Sequence, residues 1–211
     1  MAQCRNGCKA ALLNGALYVV GGHDGFSYLD TVEAFHFQGN SWEVCAPMSI
    51  PRGFGCCTVI DGMLYVFGGT SGNANEDNMY HSEMERYDPR QNLWSKMAPM
   101  HDARAYFASV VLNNCIYAIG GFNGRWLNTV EKYDPQTNRW QYVRELSIPR
   151  SSFSATVHDG YVYVAGGFTG KANVNTVERY DPCRDRWGTA CGMPMNRYGL
   201  QLVNVQIPCR K

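Results

Sequence analysis

The sequence has almost no excess of charge and no long apolar segment. Its 211 residues include 19 Lys and Arg against 18 Asp and Glu, which leaves a formal net charge of +1. Proteins held to nucleic acid or to anionic lipid by bulk charge carry a surplus of Lys and Arg, and a membrane-spanning helix needs about 20 apolar residues. We therefore expect no nucleic-acid partner and no membrane partner.

Motifs for metal binding and catalysis are also missing. The sequence has no Cys-x-x-Cys, no paired Cys/His spacing of a zinc site, no His-Glu-x-x-His and no nucleophile elbow. We therefore predict no metal, no cofactor and no enzymatic activity.

The nine cysteines are odd in number, unlike a disulfide framework. We interpret them as reduced, mostly packed thiols of an intracellular protein; the alternative is a redox sensor, first at Cys56 and Cys57.

Glycine, in contrast, is abundant, and eight of the 22 glycines form four Gly-Gly pairs. Each pair follows an apolar run that contains a tyrosine, and each precedes a tryptophan and then an arginine. The pairs are Gly21-Gly22, Gly68-Gly69, Gly120-Gly121 and Gly166-Gly167; the tryptophans are Trp42, Trp94, Trp140 and Trp187; the arginines are Arg52, Arg104, Arg150 and Arg197, with Arg5 before the first pair. Such a recurrence at intervals of 46 to 52 residues is typical of a repeat protein.

The spacing inside each unit is fixed except at one place. From the arginine to the second glycine there are 17 residues in every unit, and from the tryptophan to the next arginine there are 10. The count varies, from 12 to 18, between the second glycine and the aromatic residue of a Glu-x-aromatic motif (Phe35, Tyr87, Tyr133, Tyr180). This pattern indicates a scaffold that presents one variable loop per repeat.

Each unit predicts four short antiparallel strands. Turn residues such as Asp61-Gly62 separate the first two strands and suit a tight turn with positive φ. Asp-Pro at 88–89, 134–135 and 181–182 turns the third strand into the fourth. The first unit has His36-Phe37 at this place, so we expect an irregular turn there.

Four short strands per radially repeated unit describe a β-propeller blade. The Gly-Gly, the Glu-x-Tyr-Asp-Pro and the Trp, in that order, resemble the kelch family of β-propellers over almost the whole chain. The implied fold class is all-β, a single propeller region over 1–211 with four four-stranded blades and a lone closing strand. The blades are expected at about 5–51, 52–103, 104–149 and 150–196, and the closing strand at 197–211.

The resemblance also implies an incomplete ring. Kelch propellers of this type usually have six blades, so we expect an open arc with roughly two blades missing upstream. A closed four-bladed ring with a redundant strand is the alternative.

We interpret the repeated residues as structural. The paired glycines supply backbone without Cβ where neighbours approach or φ is positive, and the four tryptophans pack blade against blade. The repeated arginines are expected to pair with Glu33, Glu85, Glu131 and Glu178 through charge-assisted hydrogen bonds, because a buried charge needs a partner.

Function is then expected in the parts that differ between repeats. In kelch propellers the loop after the Gly-Gly and the residues just after the arginine lie on one face, where partner peptides bind. The resemblance places partner-binding residues at His23, Phe26, Tyr28, Phe54, Tyr106, Phe122, Arg125, Trp126, Ser151, Phe168, Lys171 and Tyr198, with the loop from Thr70 to Tyr80.

Aromatic side chains with a few cations and hydroxyl groups are typical of a protein-binding hot spot. Trp126 has the most weight, since a tryptophan at a loop tip is not expected to be needed for packing; incidental exposure of the loop aromatics is the alternative. Because Arg125 and Lys171 are the main cations, we expect a mixed aromatic and polar partner segment rather than a strongly acidic one.

The repeat is most similar to the C-terminal kelch domain of BTB–BACK–kelch ubiquitin-ligase adaptors. In these proteins the propeller holds a protein substrate while the BTB part binds a cullin scaffold. The resemblance implies a substrate-recognition propeller in the cytoplasm, with the nucleus as the alternative location and with cullin contacted only through a BTB region absent from these residues. An actin-binding kelch module is the second hypothesis. A copper oxidase propeller is the third; the histidines lie at non-equivalent positions, at His23, His36, His81, His101 and His158.

Overall fold

The computed structural model describes residues 1–72 and 79–204, which form sixteen strands in four antiparallel sheets. The first sheet contains β1 (Lys9–Leu13), β2 (Ala16–Val20), β3 (Val32–His36) and β4 (Ser41–Cys45). The second contains β5 (Cys56–Ile60), β6 (Met63–Phe67), β7 (Met84–Asp88) and β8 (Leu93–Met97). The third contains β9 (Ala108–Leu112), β10 (Cys115–Phe122), β11 (Trp126–Asp134) and β12 (Arg139–Val143). The fourth contains β13 (Ser154–His158), β14 (Tyr161–Ala165), β15 (Val177–Asp181) and β16 (Arg186–Ala190).

Each sheet is a blade whose four strands pair in chain order. The first strands of the blades, β1, β5, β9 and β13, pack side by side in that order around a cavity of about 180 Å³. The sheets do not close into a ring. The predicted all-β class, with four four-stranded blades in an open arc, is therefore confirmed.

The closing segment is described as far as residue 204. Arg197 and Gly199 bond to the fourth blade, because Gly167 N–H donates to Arg197 C=O (2.7 Å) and Gly199 N–H donates to Ser152 C=O (2.7 Å). Further along, Leu202 N–H donates to the side-chain oxygen of Ser154 (2.8 Å). A strand needs a backbone-to-backbone ladder, and none is formed by residues 197–204. The rest of the predicted strand, 205–211, lies outside the described residues.

The turns depend on residues with positive φ. Asp61 and Gly62 have φ of 50° and 72°, as predicted for the first hairpin. The expectation of an irregular turn in the first blade is wrong, because His36 pairs with Ser41 in the register in which Asp88 pairs with Leu93 in the second blade. In both blades the asparagine immediately before the fourth strand provides the left-handed residue of this turn, with φ of 46° at Asn40 and 51° at Asn92.

The asparagine of this turn also bonds across to the preceding blade. Asn92 Oδ1 accepts hydrogen bonds from Ala46 N–H and from the Tyr87 hydroxyl, both at 2.8 Å. Asn138 and Asp185 make the corresponding bonds in the next two blades. This position was not singled out from the sequence, although an Asn or Asp lies two residues before each repeated tryptophan.

Three hydrophobic clusters lie between successive blades. The indole N–H of Trp94 donates to Ala46 C=O of the preceding blade (2.8 Å). Trp140 and Trp187 donate in the same way, to Ala98 (2.9 Å) and to Arg144 (2.8 Å). These three tryptophans therefore link neighbouring blades, whereas Trp42 lies at the outer face of the first blade and is 37% exposed.

The described cysteines are all free thiols. Cys4, Cys183 and Cys191 are exposed, and the other five are at least half-buried. Burial raises the pKa of Cys56 and raises that of Cys57 to about 12. Reactive sensor cysteines have a lowered thiol pKa, so the burial of this pair favours the interpretation as packed thiols. Within the described residues, no helix has the length and apolarity needed to cross a bilayer.

Candidate partner-binding surface

A buried ion pair joins the strands of every blade below its variable loop. Arg52 donates from Nη1 to Gly68 C=O (2.8 Å) and from Nη2 to Glu85 Oε1 (3.0 Å), and both side chains are 2% exposed. Burial lowers the pKa of Arg52, and Glu85 opposes this shift. The same pair recurs as Arg5–Glu33, Arg104–Glu131 and Arg150–Glu178, at 2.8, 2.7 and 2.5 Å. The predicted charge-assisted bonds are thus confirmed.

The second carboxylate oxygen bonds to the chain that enters the blade. Glu85 Oε2 accepts from Ser49 N–H (2.8 Å), and Glu131 and Glu178 accept from His101 and Ser147 in the same way. Each glutamate therefore connects its own arginine with the crossover from the preceding blade. We call this repeated arrangement of Arg, Glu and Gly-Gly the frame.

The Gly-Gly pair brings two blades together. Gly68 has φ of +65°, and a Cβ on it would lie 2.7 Å from Arg104 C=O of the next blade. Its neighbour Gly69 donates its N–H to that same carbonyl (2.8 Å). The corresponding bond from the second glycine is present at all four pairs. The positive φ and the close carbonyl mean that the first glycine of the pair cannot be replaced by a residue with a side chain without strain.

The variable loops begin and end on the frame. In the second blade Thr70 pairs with both Gly53 and Tyr80, and Phe168 pairs with Ser151 and Asn173 in the fourth. The loops and the residues that follow the arginines therefore form one surface, which we call the loop face. It comprises residues 23–28, 70–72 with 79–80, 122–126 and 168–173, together with 53–54, 105–106, 151–152 and 198, which follow the arginines.

Aromatic rings form a continuous row across the second, third and fourth blades of the loop face. Ring centroids are 5.7 Å apart for Tyr80 and Phe122, 4.9 Å for Phe122 and Trp126, and 5.9 Å for Trp126 and Phe168. Rings in this range attract one another beyond their apolar contact. The row is thus a connected surface rather than a set of isolated side chains.

Trp126 does not lie at a loop tip, and the interpretation that it is not needed for packing is wrong. It starts β11, because the third loop is the shortest and β10 and β11 continue through a β-bulge as far as Phe122 and Trp126. Its ring lies against Gly170 of the fourth blade, where a Cβ would come within 2.6 Å of the indole. Trp126 is nevertheless 37% exposed, so it both packs and presents a surface.

Phe54 and Tyr106 line the inner part of the loop face in a strained conformation. Their φ values are 56° and 55°, a left-handed region that costs bulky residues on the order of 1–3 kcal/mol. Backbone bonds hold them there, since Phe54 N–H donates to Gly7 C=O (2.8 Å) and Tyr106 N–H to Phe54 C=O (2.9 Å). Sequence reasoning did not find this strain, although Gly7 and Gly199 at the same position after an arginine are a signal of positive φ.

Burial raises the pKa of two tyrosines of the loop face, and neighbouring tyrosines contribute to the shift. Burial is the main cause that raises the pKa of Tyr106, and the nearby Tyr28 and Tyr80 raise it further. Burial also raises the pKa of Tyr80, with a smaller contribution from Tyr28. Tyr28 also packs on His23, with ring centroids 4.8 Å apart. At the rim, Phe26 is 96% exposed, and Arg125, Lys171 and Tyr198 are exposed as well.

One predicted partner-binding residue is not available. Ser151 is 6% exposed, and its backbone pairs with Phe168. Part of the predicted loop, residues 73–78, lies outside the described residues. In residues 1–72 and 79–204, no three His, Cys, Asp or Glu side chains are placed to hold a metal ion.

An arc of four-stranded antiparallel blades is the architecture of a β-propeller. A family profile described as "KLHDC2/KLHL20/DRC7 Kelch-repeats domain" matches residues 1–167, and the "Kelch motif" matches residues 149–187. The chain belongs to the kelch-repeat family, whose propellers are mainly non-enzymatic protein-interaction modules.

Curated relatives are similar over about half of this chain. Kelch-like protein 28 of Homo sapiens is 39% identical over 52% of the chain, and Kelch-like protein 23 of Homo sapiens is 34% identical over 54%. Kelch repeat and BTB domain-containing protein 12 of Danio rerio is 29% identical over 57%. The matched part spans about a fifth of the length of these relatives, 19–20%.

A solved structure is similar in fold. "Structure of YjhT" superposes with a TM-score of 0.82 and 17% identity, covering 93% of this chain and 73% of that one. At this level of identity the similarity concerns the propeller fold alone.

Proposed function

We propose that this chain is the substrate-recognition propeller of a cullin-RING ubiquitin-ligase adaptor, and that it captures a segment of another protein on its loop face. The similarity to two Kelch-like proteins and to a protein named as containing kelch repeats and a BTB domain supports this proposal. Cullin would be bound by a BTB region that is not among these 211 residues. A cytoplasmic or nuclear location belongs to the same proposal.

The continuous aromatic row on the loop face is the observation that carries the proposal. Its members come from three blades, and backbone hydrogen bonds to Ala105 and Ser151 hold Phe122 and Phe168 in place. Preformed aromatic surfaces lose little conformational entropy when a partner binds. The row therefore has the properties of a binding hot spot.

The chemistry of the loop face favours a partner segment with apolar or aromatic anchors and hydrogen-bonding groups. The hydroxyls of Tyr28, Tyr80 and Tyr106 can both donate and accept hydrogen bonds. Arg125 and Lys171 add two exposed cations. A densely acidic segment would need more cations than the described loop face offers.

Affinity purification with the full-length parent protein tests the proposal. The eluate is scored for cullin and for actin, because an actin-binding kelch module is the competing hypothesis. We expect cullin together with a specific protein that is lost from the double variant Tyr28→Ala/Trp126→Ala. The matched control is Tyr142→Ala, an aromatic that is 52% exposed but lies on β12, away from the loop face.

Two results would count against the proposal. An eluate without any cullin would exclude the adaptor role, and actin in its place would favour the cytoskeletal module. Loss of the captured protein in the control variant but not in the double variant would place the binding surface elsewhere.

A further inference from the structure

The second blade departs from the other three at the neck of its loop, next to the frame. His81 occupies the position that holds Leu29, Leu127 and Val174 in the other blades. Its backbone is placed as theirs is, since His81 N–H donates to Gly69 C=O (2.9 Å). The imidazole is therefore held at a site built for an aliphatic side chain, and it is 8% exposed.

Both ring nitrogens of His81 face polar side chains. Nε2 lies 2.7 Å from the hydroxyl of Ser71, and Nδ1 lies 3.6 Å from a carboxylate oxygen of Glu83. Glu83 is itself a departure, because the other blades have Thr31, Thr129 and Thr176 at this position. A hydroxyl within hydrogen-bond distance of an imidazole nitrogen is the arrangement by which a general base activates a nucleophile. The carboxylate of Glu83 faces the other nitrogen at ion-pair distance rather than through a hydrogen bond.

The surroundings of His81 suit a base that is neutral at pH 7. Burial is the main cause that lowers its pKa from 6.5; the guanidinium of Arg52 lowers it further, and Glu83 opposes both. A neutral imidazole can accept the hydroxyl proton of Ser71, whereas an imidazolium cannot.

A second polar group is buried beside this triad. Thr70 is 3% exposed, and its hydroxyl has no hydrogen-bond partner among the described residues. The other blades have His23, Phe122 and Phe168 at this position. A buried hydroxyl without a partner is costly, and here it adjoins Ser71 in the chain.

We propose that Ser71 is an activated nucleophile that accepts an acyl group from an activated carboxylic ester, with His81 as general base and Glu83 as a positioning residue. The hydroxyl proton of Ser71 passes to Nε2 of His81 while Oγ bonds to the acyl carbon. The ester C–O bond breaks, and the leaving oxygen takes the proton from His81 and departs as an alcohol or phenol. Atoms and charges balance without a cofactor.

Labelling with a fluorophosphonate tests the proposal on the full chain. The probe phosphonylates activated serines with loss of fluoride as hydrogen fluoride, and intact-mass and peptide mass spectrometry locate and time the adduct. We expect one adduct at Ser71 and none in Ser71→Ala. His81→Leu installs the residue of the first and third blades and should slow labelling by about 100-fold.

The pH profile separates a base from a merely structural histidine. The rate should rise as pH increases through the pKa of His81, with a midpoint below 6.5. Because Glu83 raises that pKa, Glu83→Thr should move the midpoint to lower pH and slow the reaction severalfold. Melting curves of His81→Leu and Glu83→Thr at pH 7 should match that of the parent chain, since each new residue is one that another blade contains at the same position. The melting curve of Ser71→Ala is recorded in the same way to show that this variant is folded.

Three results would overturn the proposal. One is the absence of any adduct under conditions that fully label an authentic serine hydrolase. Another is equal labelling of Ser71 in the parent chain and in a folded His81→Leu variant. The third is labelling of Ser27 or other exposed serines at the same rate as Ser71.

Discussion

The frame and the loop face differ in what varies between blades. In the frame the same residues recur with the same partners, as in the ion pair of Arg104 and Glu131, whose side chains are fully buried. On the loop face corresponding positions hold different residues, and Phe26 is 96% exposed. Stability therefore depends mainly on the frame and recognition on the loop face, so most substitutions should affect one property and spare the other, with Trp126 as the exception.

The largest expected effect is loss of a frame charge. Arg104→Leu leaves Glu131 buried without its partner and should lower the free energy of unfolding by about 4 kcal/mol. Urea denaturation measures it. The matched control, Arg125→Leu on the loop face, should change stability by less than about 0.5 kcal/mol. Equal effects of the two variants would abolish the distinction.

A methyl group on the frame glycine should have the next largest effect. In Gly68→Ala the new Cβ meets Arg104 C=O at 2.7 Å with φ at +65°, and we expect a loss of about 3 kcal/mol. Gly62→Ala has φ of +72° but open space around the Cβ, and should lose only about 1 kcal/mol. Thermal unfolding of both variants tests this, and similar losses would show that the close approach of the blades is unimportant.

Trp126 should contribute both to stability and to partner binding. Trp126→Ala is expected to weaken partner binding by about 2 kcal/mol and to lower stability by about 1 kcal/mol, since the indole packs on Gly170 as well as facing solvent. Phe26→Ala should leave the melting temperature unchanged, because the side chain is 96% exposed. Calorimetric titration and melting of both variants distinguish these roles; an unchanged melt for Trp126→Ala would contradict the packing.

The smallest effect is a pH dependence from the neck of the second loop. The pKa of His81 is lowered in the folded chain, so the unfolded chain binds the additional proton when pH falls below about 6.5. Stability should therefore be constant above that pH with respect to this group and decline below it, until the lowered pKa is passed. His81→Leu should flatten this decline in urea titrations at pH 5 to 7, whereas an unaltered slope would exclude His81 as its source.

The sequence was sufficient to predict the frame because each of its parts recurs at constant spacing. Arg52 with Glu85, and the Gly68-Gly69 pair, could be assigned from four copies that vary elsewhere. The turn of the first blade could not be predicted from Asp-Pro, which this blade lacks, because Asn40 supplies the left-handed residue.

The loop face could be predicted only as a set of residues. The packing of Trp126 on Gly170 joins two blades and depends on where β11 begins, which no single repeat shows. The contact of His81 with Ser71 crosses the longest loop, so a comparison of spacing could not reveal it. Contacts between non-equivalent positions leave no periodic signal.

The most direct test of the central claim measures both properties on one pair of variants. The dissociation constant for the captured partner segment and the melting temperature are determined for Tyr28→Ala/Trp126→Ala and for the control Tyr142→Ala. We predict a loss of affinity of about 2–4 kcal/mol, at least about 30-fold, in a double variant that remains folded, from the removal of two hot-spot aromatics, with unchanged affinity in the control. Unchanged affinity in a folded double variant would contradict the assignment of recognition to the loop face.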